Sequence, residues 1–94
     1  MRTIERTNAF KRDYKRIRAS PRHPDIDVLL SQIAGLLAGD RTLPEKNRDH
    51  ALAGNWKNHR ECHLKPDLLL IYALPDTATL RLVRMGSHSD LFAR

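Results

Sequence analysis

The sequence predicts an α+β fold in the order β-α-α-β-β-β, in which a helical hairpin packs on one face of a small, mainly antiparallel sheet. Two stretches of helical periodicity follow a short alternating start, and three strand-like segments separated by turns occupy the last third of the chain. The 94 residues are predicted to form a single domain, 1–94, because a chain this short cannot bury a second core.

The first two predicted elements are a strand over residues 3–7 and a helix over residues 8–19. The strand alternates and is rich in β-branched side chains, and Asn8 offers an N-cap oxygen to the amides that follow it. The apolar residues of the helix fall four and three apart on one side, namely Phe10, Tyr14 and Ile17. The many basic residues of this segment are therefore expected on its outer surface.

A second helix is predicted from about Pro24 to Gly39. Proline disfavours helix at residues 20–24, where His23 is expected to be a surface residue of the turn. Beyond it, apolar residues repeat at helical spacing, namely Ile26, Leu29, Leu30, Ile33, Leu36 and Leu37. The two helices should form an amphipathic hairpin.

The last part of the chain predicts a long loop followed by three strands. Residues 41–58 lack periodicity for longer than most connections do, and long loops tend to be functional. Strands are predicted over 59–64, 68–74 and 78–85, with turns at 65–67 and 75–77. Alternation places His59, Glu61 and His63 on one face of the first of these strands, which is expected to be the open polar face of the sheet. Cys62 lies on the apolar face and is expected to be a buried, inert thiol.

The positive charge is concentrated at one end of the chain. Residues 1–24 carry eight Lys and Arg against two acidic residues, whereas residues 25–94 carry nine of each. This asymmetry favours a surface that binds a polyanion such as RNA, with Lys11, Lys15 and Arg18 as binding residues, over a merely solvated helix face. The chain has no apolar run near the roughly 20 residues that span a bilayer and has one cysteine, so we expect a cytoplasmic protein without membrane contact or disulfides.

Several histidines point to acid–base chemistry on RNA. His50, His63 and His88, with Asp67, can gather at the open face of the sheet, and histidine exchanges protons near neutral pH. RNA carries its own nucleophile, the 2′-hydroxyl, so a base, an acid and a positive charge from Arg81 or Arg84 suffice, while Phe92 or Trp56 can stack on a base. A zinc site is disfavoured, because His59 and His63 would lie about 13 Å apart along a strand. We therefore predict neither metal nor cofactor.

Three motifs resemble one known family. The segments D-H-x-L-x-G-x-W from Asp49, R-x-x-H-x-x-x-D-x-x-L-I-Y from Arg60 and G-x-H-x-x-L-F from Gly86 occur in the order found in YafQ-type mRNA-interferase toxins of the RelE superfamily. The resemblance spans nearly the whole chain. It departs from the family pattern at Leu68, where related toxins can have an aromatic residue, which leaves the codon preference open.

The resemblance implies a toxin of a type II toxin–antitoxin system that cuts mRNA in the decoding site of the ribosome. It places the catalytic set on His50, His63, Asp67 and His88, with Phe92 against substrate and Arg84 near the phosphate. Its partners would be the ribosome, mRNA and a cognate antitoxin of the DinJ or RelB type. The alternative is a non-catalytic ParE-like toxin that binds and inhibits a target such as DNA gyrase.

Overall fold

The structure is a computed structural model that describes residues 1–92. It contains a five-stranded sheet and three helices, with two single-turn 3₁₀ helices at Glu45–Asn47 and Gly54–Trp56. In chain order the elements are β1 (Thr3–Arg6), α1 (Asn8–Ala19), α2 (Ile26–Ala38), β2 (His50–Ala51), β3 (Arg60–Lys65), β4 (Leu68–Asp76), β5 (Thr79–Gly86) and α3 (His88–Phe92). The predicted α+β class and the predicted order are confirmed, with β2 and α3 added to them.

The sheet has the strand order β1-β5-β4-β3-β2. Strands β2 to β5 pair antiparallel, and β1 lies parallel to β5. The turn predicted at 75–77 is placed too early, because β4 continues to Asp76 and β5 starts at Thr79. Asp76 holds this tight turn, since its carboxylate accepts a hydrogen bond of 2.8 Å from the backbone N–H of Ala78.

One face of the sheet is covered by the predicted helical hairpin. Phe10 and Ile17 of α1 and Ile33 and Leu37 of α2 pack on apolar side chains of β3, β4 and β5. The cap of α1 is Thr7 rather than the predicted Asn8: the Thr7 hydroxyl accepts the backbone N–H of Phe10 at 3.0 Å and also donates to the carbonyl of Val83 at 2.7 Å. The same side chain thus starts the helix and fixes it to β5.

The opposite face is not the wholly polar surface that the sequence predicts. It carries a second apolar cluster, built on Leu69, Ile71 and Leu91 and extended by Leu52, Trp56, Val83 and Phe92. The reason is that β4 is a central strand with apolar side chains on both faces, so the second face also needs a cover. The cover is α3 together with the 3₁₀ turn at Gly54–Trp56.

Helix α3 replaces the loop expected after β5. Its start is a reciprocal cap, in which the Ser87 hydroxyl accepts the N–H of Asp90 at 3.1 Å and the Asp90 carboxylate accepts the N–H of Ser87 at 3.0 Å. The pattern Ser-x-x-Asp was visible in the sequence. It was missed because the helix is only five residues long.

A buried carboxylate joins α1 to β5. Asp13 accepts hydrogen bonds from the Arg84 guanidinium at 2.6 and 3.2 Å and from the backbone N–H of Met85 at 3.0 Å. Burial alone would raise the pKa of Asp13, but the hydrogen bonds from Arg84 and Met85 outweigh it and lower the pKa below its usual value.

No helix among residues 1–92 combines the length and the apolar character needed to cross a membrane.

Candidate active site

Two of the predicted catalytic histidines meet at a shared carboxylate. Strand β2 pairs with β3 so that His50 lies opposite Glu61, and His63 follows two residues later on the same face. The Nε2 atoms of His50 and His63 each lie 3.7 Å from Oε1 of Glu61. The two imidazoles therefore approach the same carboxylate oxygen, and Glu61 itself is only 6% exposed.

The backbone fixes the tautomer of His50. Nδ1 of His50 lies 2.7 Å from the carbonyl oxygen of Arg48, which can only accept, so the hydrogen of the neutral ring sits on Nδ1. The lone pair is then on Nε2. Arg48 is in the left-handed region, with φ of 49°, and this turn directs its carbonyl back to the histidine. His50 thus presents a basic nitrogen where substrate can approach.

A polar network supports the chain just before His50. The Tyr72 hydroxyl donates to Oδ1 of Asp49 at 2.5 Å, and Nε of Arg60 lies 3.3 Å from both the Asp49 carboxylate and the Tyr72 oxygen. Burial and the hydrogen bond to Asp49 raise the pKa of Tyr72, so the hydroxyl remains a donor at all working pH values. Asp49, and with it His50, is therefore tied to β3 and β4.

Asp67 and His88 lie at the end of the sheet where β3 ends and α3 begins, apart from His50 and His63. Asp67 is in the turn between β3 and β4, and it lines a cavity together with Gly86, Ser87 and Asp90 at the junction of β5 and α3, where His88 begins. The sheet register connects the two positions, because Leu69 pairs with His63 on one side and with Gly86 on the other. Two strand spacings separate His63 from Gly86, which is about 10 Å.

Aromatic side chains line the surface of α3 and the neighbouring turn. The ring of Phe92 lies 5.0 Å from the ring of His88 and 6.3 Å, edge-on, from Trp56. Trp56 in turn contacts His59 at 5.4 Å. Trp56 and Phe92 are both partly buried and pack against the second apolar cluster, which fixes their positions. Their exposed edges form an aromatic surface beside His88.

The predicted basic residues lie in two different settings. Lys11, Lys15 and Arg18 are exposed on α1, as expected, and Arg18 approaches Asp27 at 3.6 Å. The guanidinium of Arg84, by contrast, is bonded to Asp13 rather than free. Its role beside a phosphate stays a prediction, and the structure adds that Asp13 would orient it.

Two residues of this region were not assigned from the sequence. Glu61 was visible as part of the alternation with His59 and His63, but only the pairing of β2 with β3 brings His50 to it. The amide of the buried Asn47 donates a hydrogen bond of 2.7 Å to the backbone carbonyl of His63 and so fixes the backbone at that residue.

Cys62 is fully buried, and burial raises its pKa to about 12, which agrees with the predicted inert thiol. Among residues 1–92 no three His, Cys, Asp or Glu side chains are grouped as metal ligands.

Known proteins resemble this chain over almost its full length. A sequence profile described as the bacterial toxin of a type II toxin–antitoxin system, YafQ, matches residues 2–93. The mRNA interferase toxin YafQ of Escherichia coli K12 is 38% identical over 91 residues, which cover 97% of this chain and 96% of the relative. The crystal structure of the E. coli DinJ–YafQ complex matches with a TM-score of 0.83 and 38% identity, over 98% of this chain and 99% of that chain. A metal-bound toxin from Helicobacter pylori matches with a TM-score of 0.84 and 45% identity, over 98% and 100% of the two chains.

Proposed function

Because the chain belongs to the YafQ family of toxins of type II toxin–antitoxin systems, we propose that it is an mRNA interferase, a ribosome-dependent endoribonuclease that works by acid–base catalysis. The observation that carries the chemistry is the arrangement of His50 and His63 around Glu61, with the lone pair of His50 held on Nε2. A binding toxin has no need of a histidine whose tautomer and neighbouring anion are both arranged in this way.

The first step is deprotonation of the RNA 2′-hydroxyl. Nε2 of His50, or of His63, takes this proton, and the 2′-oxygen attacks the adjacent phosphorus. The histidine becomes a cation as it accepts the proton, and Glu61 stabilises that cation at 3.7 Å. Glu61 is thus a positioning residue that acts through the imidazoles.

The second step is departure of the 5′-oxygen. His88 donates a proton to that oxygen as the bond to phosphorus breaks, leaving a 2′,3′-cyclic phosphate on one product and a 5′-hydroxyl on the other. Asp67 orients a partner group at the same end of the sheet, and Arg84, oriented by Asp13, neutralises charge on the phosphate. Phe92 packs against a base of the substrate.

The partners follow from the charge and the family. Lys11, Lys15 and Arg18 bind ribosomal RNA, whose phosphates attract the basic end of the chain. The E. coli relative has been crystallised in a complex with DinJ, and an antitoxin of that type would neutralise this protein. No metal takes part in the proposed steps, and residues 1–94 act as one domain.

The test is primer extension on an mRNA translated with the purified protein present or absent. New 5′ ends that need both the protein and translating ribosomes are expected. EDTA, with ribosomes kept intact by polyamines, should leave the cutting rate unchanged. Growth arrest of cells that express the protein, without any new mRNA ends in this assay, would instead favour the ParE-like alternative. Loss of cutting in EDTA would reject the metal-free mechanism.

A further inference from the structure

A cavity of about 330 Å³ lies between the turn that joins the two long helices and the junction of β5 with α3. Such a volume is within the range of small-molecule pockets. The helical side supplies Arg16, Ser20, Arg22 and His23, and the sheet side supplies Asp67, Ser87 and Asp90. The cavity therefore opens directly beside Asp67 and the start of the helix that carries His88.

The helical turn is fixed relative to Asp67. Nζ of Lys65 pairs with the carboxylate of Asp25 at 2.7 Å and lies 3.4 Å from the carbonyl of Arg22. The Ser20 hydroxyl accepts the backbone N–H of Arg22 at 3.2 Å, which closes the turn. Lys65 is only two residues before Asp67, so these contacts hold the β3–β4 turn against the helical turn. The two turns together form one wall of the cavity.

The basic side chains of this wall are free to bind an anion. Arg22 is exposed, and within residues 1–92 no carboxylate lies at salt-bridge distance from it. Arg16 is more than half exposed and has only long contacts of 3.4 Å, one with Asp13 and one with Asp90. An incoming phosphate can therefore compete for both guanidinium groups, while Arg16 offsets the charge of Asp90.

His23 adds an unpaired polar atom to the same wall. The residue is half-buried, not the surface histidine that the sequence predicts, and its Nδ1 is enclosed with no hydrogen-bond partner among the described residues. Buried polar atoms of native proteins are nearly always paired, so Nδ1 is an unsatisfied position within this wall, enclosed behind the part of His23 that lines the cavity. Burial, with the nearby charges of Lys65 and Arg22, lowers the pKa of His23, so the neutral ring can donate to or accept from a neutral polar group.

We propose that this cavity is the subsite for a nucleotide adjacent to the scissile bond. Arg22, aided by Arg16, binds the phosphate of that nucleotide, and the ring of His23 lines the cavity beside it. The inference rests on the proposed function, because the strand must pass from this cavity to His88 and on to the pair His50 and His63. The subsite supplies the alignment that cleavage needs.

The experiment combines a protein variant with a substrate change. Synthetic mRNAs carry one uncharged methylphosphonate at each linkage flanking the cut in turn, and ribosome-programmed cleavage is measured with wild type and with Arg22→Gln. For wild type, one linkage next to the cut should lower kcat/KM by roughly tenfold or more, because a charge-assisted contact is lost. For Arg22→Gln, the same methylphosphonate should add almost no further loss.

The controls separate the possible outcomes. Lys46→Gln removes one exposed positive charge outside the cavity and should keep the wild-type methylphosphonate pattern. Thermal unfolding of Arg22→Gln should match wild type, since the side chain is exposed. If the losses from Arg22→Gln and from every methylphosphonate simply multiply, the subsite is wrong although cleavage stands. If wild type cuts no programmed mRNA at all, the proposed function itself has failed.

Discussion

In the proposed mechanism, a few contacts among His50, Glu61 and His63 prepare a general base. One carbonyl, from Arg48, decides which nitrogen of His50 carries hydrogen, and one buried carboxylate faces the other nitrogen. The arrangement works in the free protein, before substrate arrives, so little reorganisation is required during the reaction. Among residues 1–92, His88 has no comparable hydrogen-bonding partner. It is exposed on α3, which suits the proposed acid that must reach a departing oxygen.

The exposed position of His88 leads to a separation of chemistry from binding. His88→Ala should lower the cleavage rate by about 10²–10⁴-fold, the usual share of one general acid. Ribosome affinity should change little, because one imidazole adds little to an interface of many phosphates. Single-turnover cleavage and ribosome co-sedimentation measure the two effects, and a parallel loss of both would assign His88 to recognition instead.

The carboxylate between the two histidines gives a second prediction. Glu61→Gln keeps the size of the side chain but removes the anion, so cleavage should fall on the order of tenfold or more. Glu61→Asp should restore part of the rate. If cleavage and thermal stability fall together in both variants, Glu61 is a structural residue only.

At the scale of elements, α3 depends on close approach to the end of β5. A Cβ on Gly86 would lie 3.1 Å from both Cβ and Oδ2 of Asp90, the residue that caps α3. Gly86→Ala should therefore push α3 away and displace His88 and Phe92. The required shift is a few tenths of an ångström. Because a misplacement of about 1 Å can cost roughly 10²-fold in rate, this smaller shift should lower cleavage by several-fold while the melting temperature changes little.

Gly35 offers the matched control for this substitution. It lies in α2 and is exposed, and a Cβ there meets nothing within 4 Å. Gly35→Ala should leave cleavage unchanged and raise the free energy of unfolding by about 0.5–1 kcal/mol, as expected for glycine in a helix. Full activity of Gly86→Ala would show that the position of α3 does not matter for catalysis.

Helix α1 presents its charges in two directions. Lys11, Lys15 and Arg18 share one side, whereas Arg16, which contacts Asp90, lies about 100° around the helix from Lys15. Replacing Lys11, Lys15 and Arg18 together by Gln should weaken ribosome binding and flatten its dependence on salt by close to one unit of slope per lost phosphate contact. Binding titrations at several salt concentrations check this, and wild-type affinity and slope would reduce that side to a solvated surface.

At the scale of the whole molecule, the helical hairpin and the three long strands could be predicted because their apolar residues follow regular periods. The sequence did not predict that the second face of the sheet is also covered. A central strand with apolar residues on both sides, such as Leu68–Asp76, requires two covers, but the second cover is a five-residue helix and a single 3₁₀ turn, too short to leave a period.

The predicted site divides in the same way. His50 and His63 were recognised as residue types suited to the chemistry, and the structure brings them together. Glu61 could not be assigned because its contact with His50 depends on the two-residue strand β2, inside what the sequence predicts to be a loop. Asp13 was missed for a similar reason, since its partners Arg84 and Met85 lie more than 70 residues away in the chain.

The central claim is that the RNA supplies its own nucleophile while the protein moves protons. It is tested most directly with a ribosome-bound mRNA that carries a single 2′-deoxy nucleotide at the position whose 2′-hydroxyl would attack. We expect cutting at that bond to disappear, while the all-ribose mRNA yields a 2′,3′-cyclic phosphate, or its hydrolysed 3′-phosphate, and a 5′-hydroxyl. Cutting of the 2′-deoxy substrate at an undiminished rate would contradict the mechanism, because the attacking group would be absent.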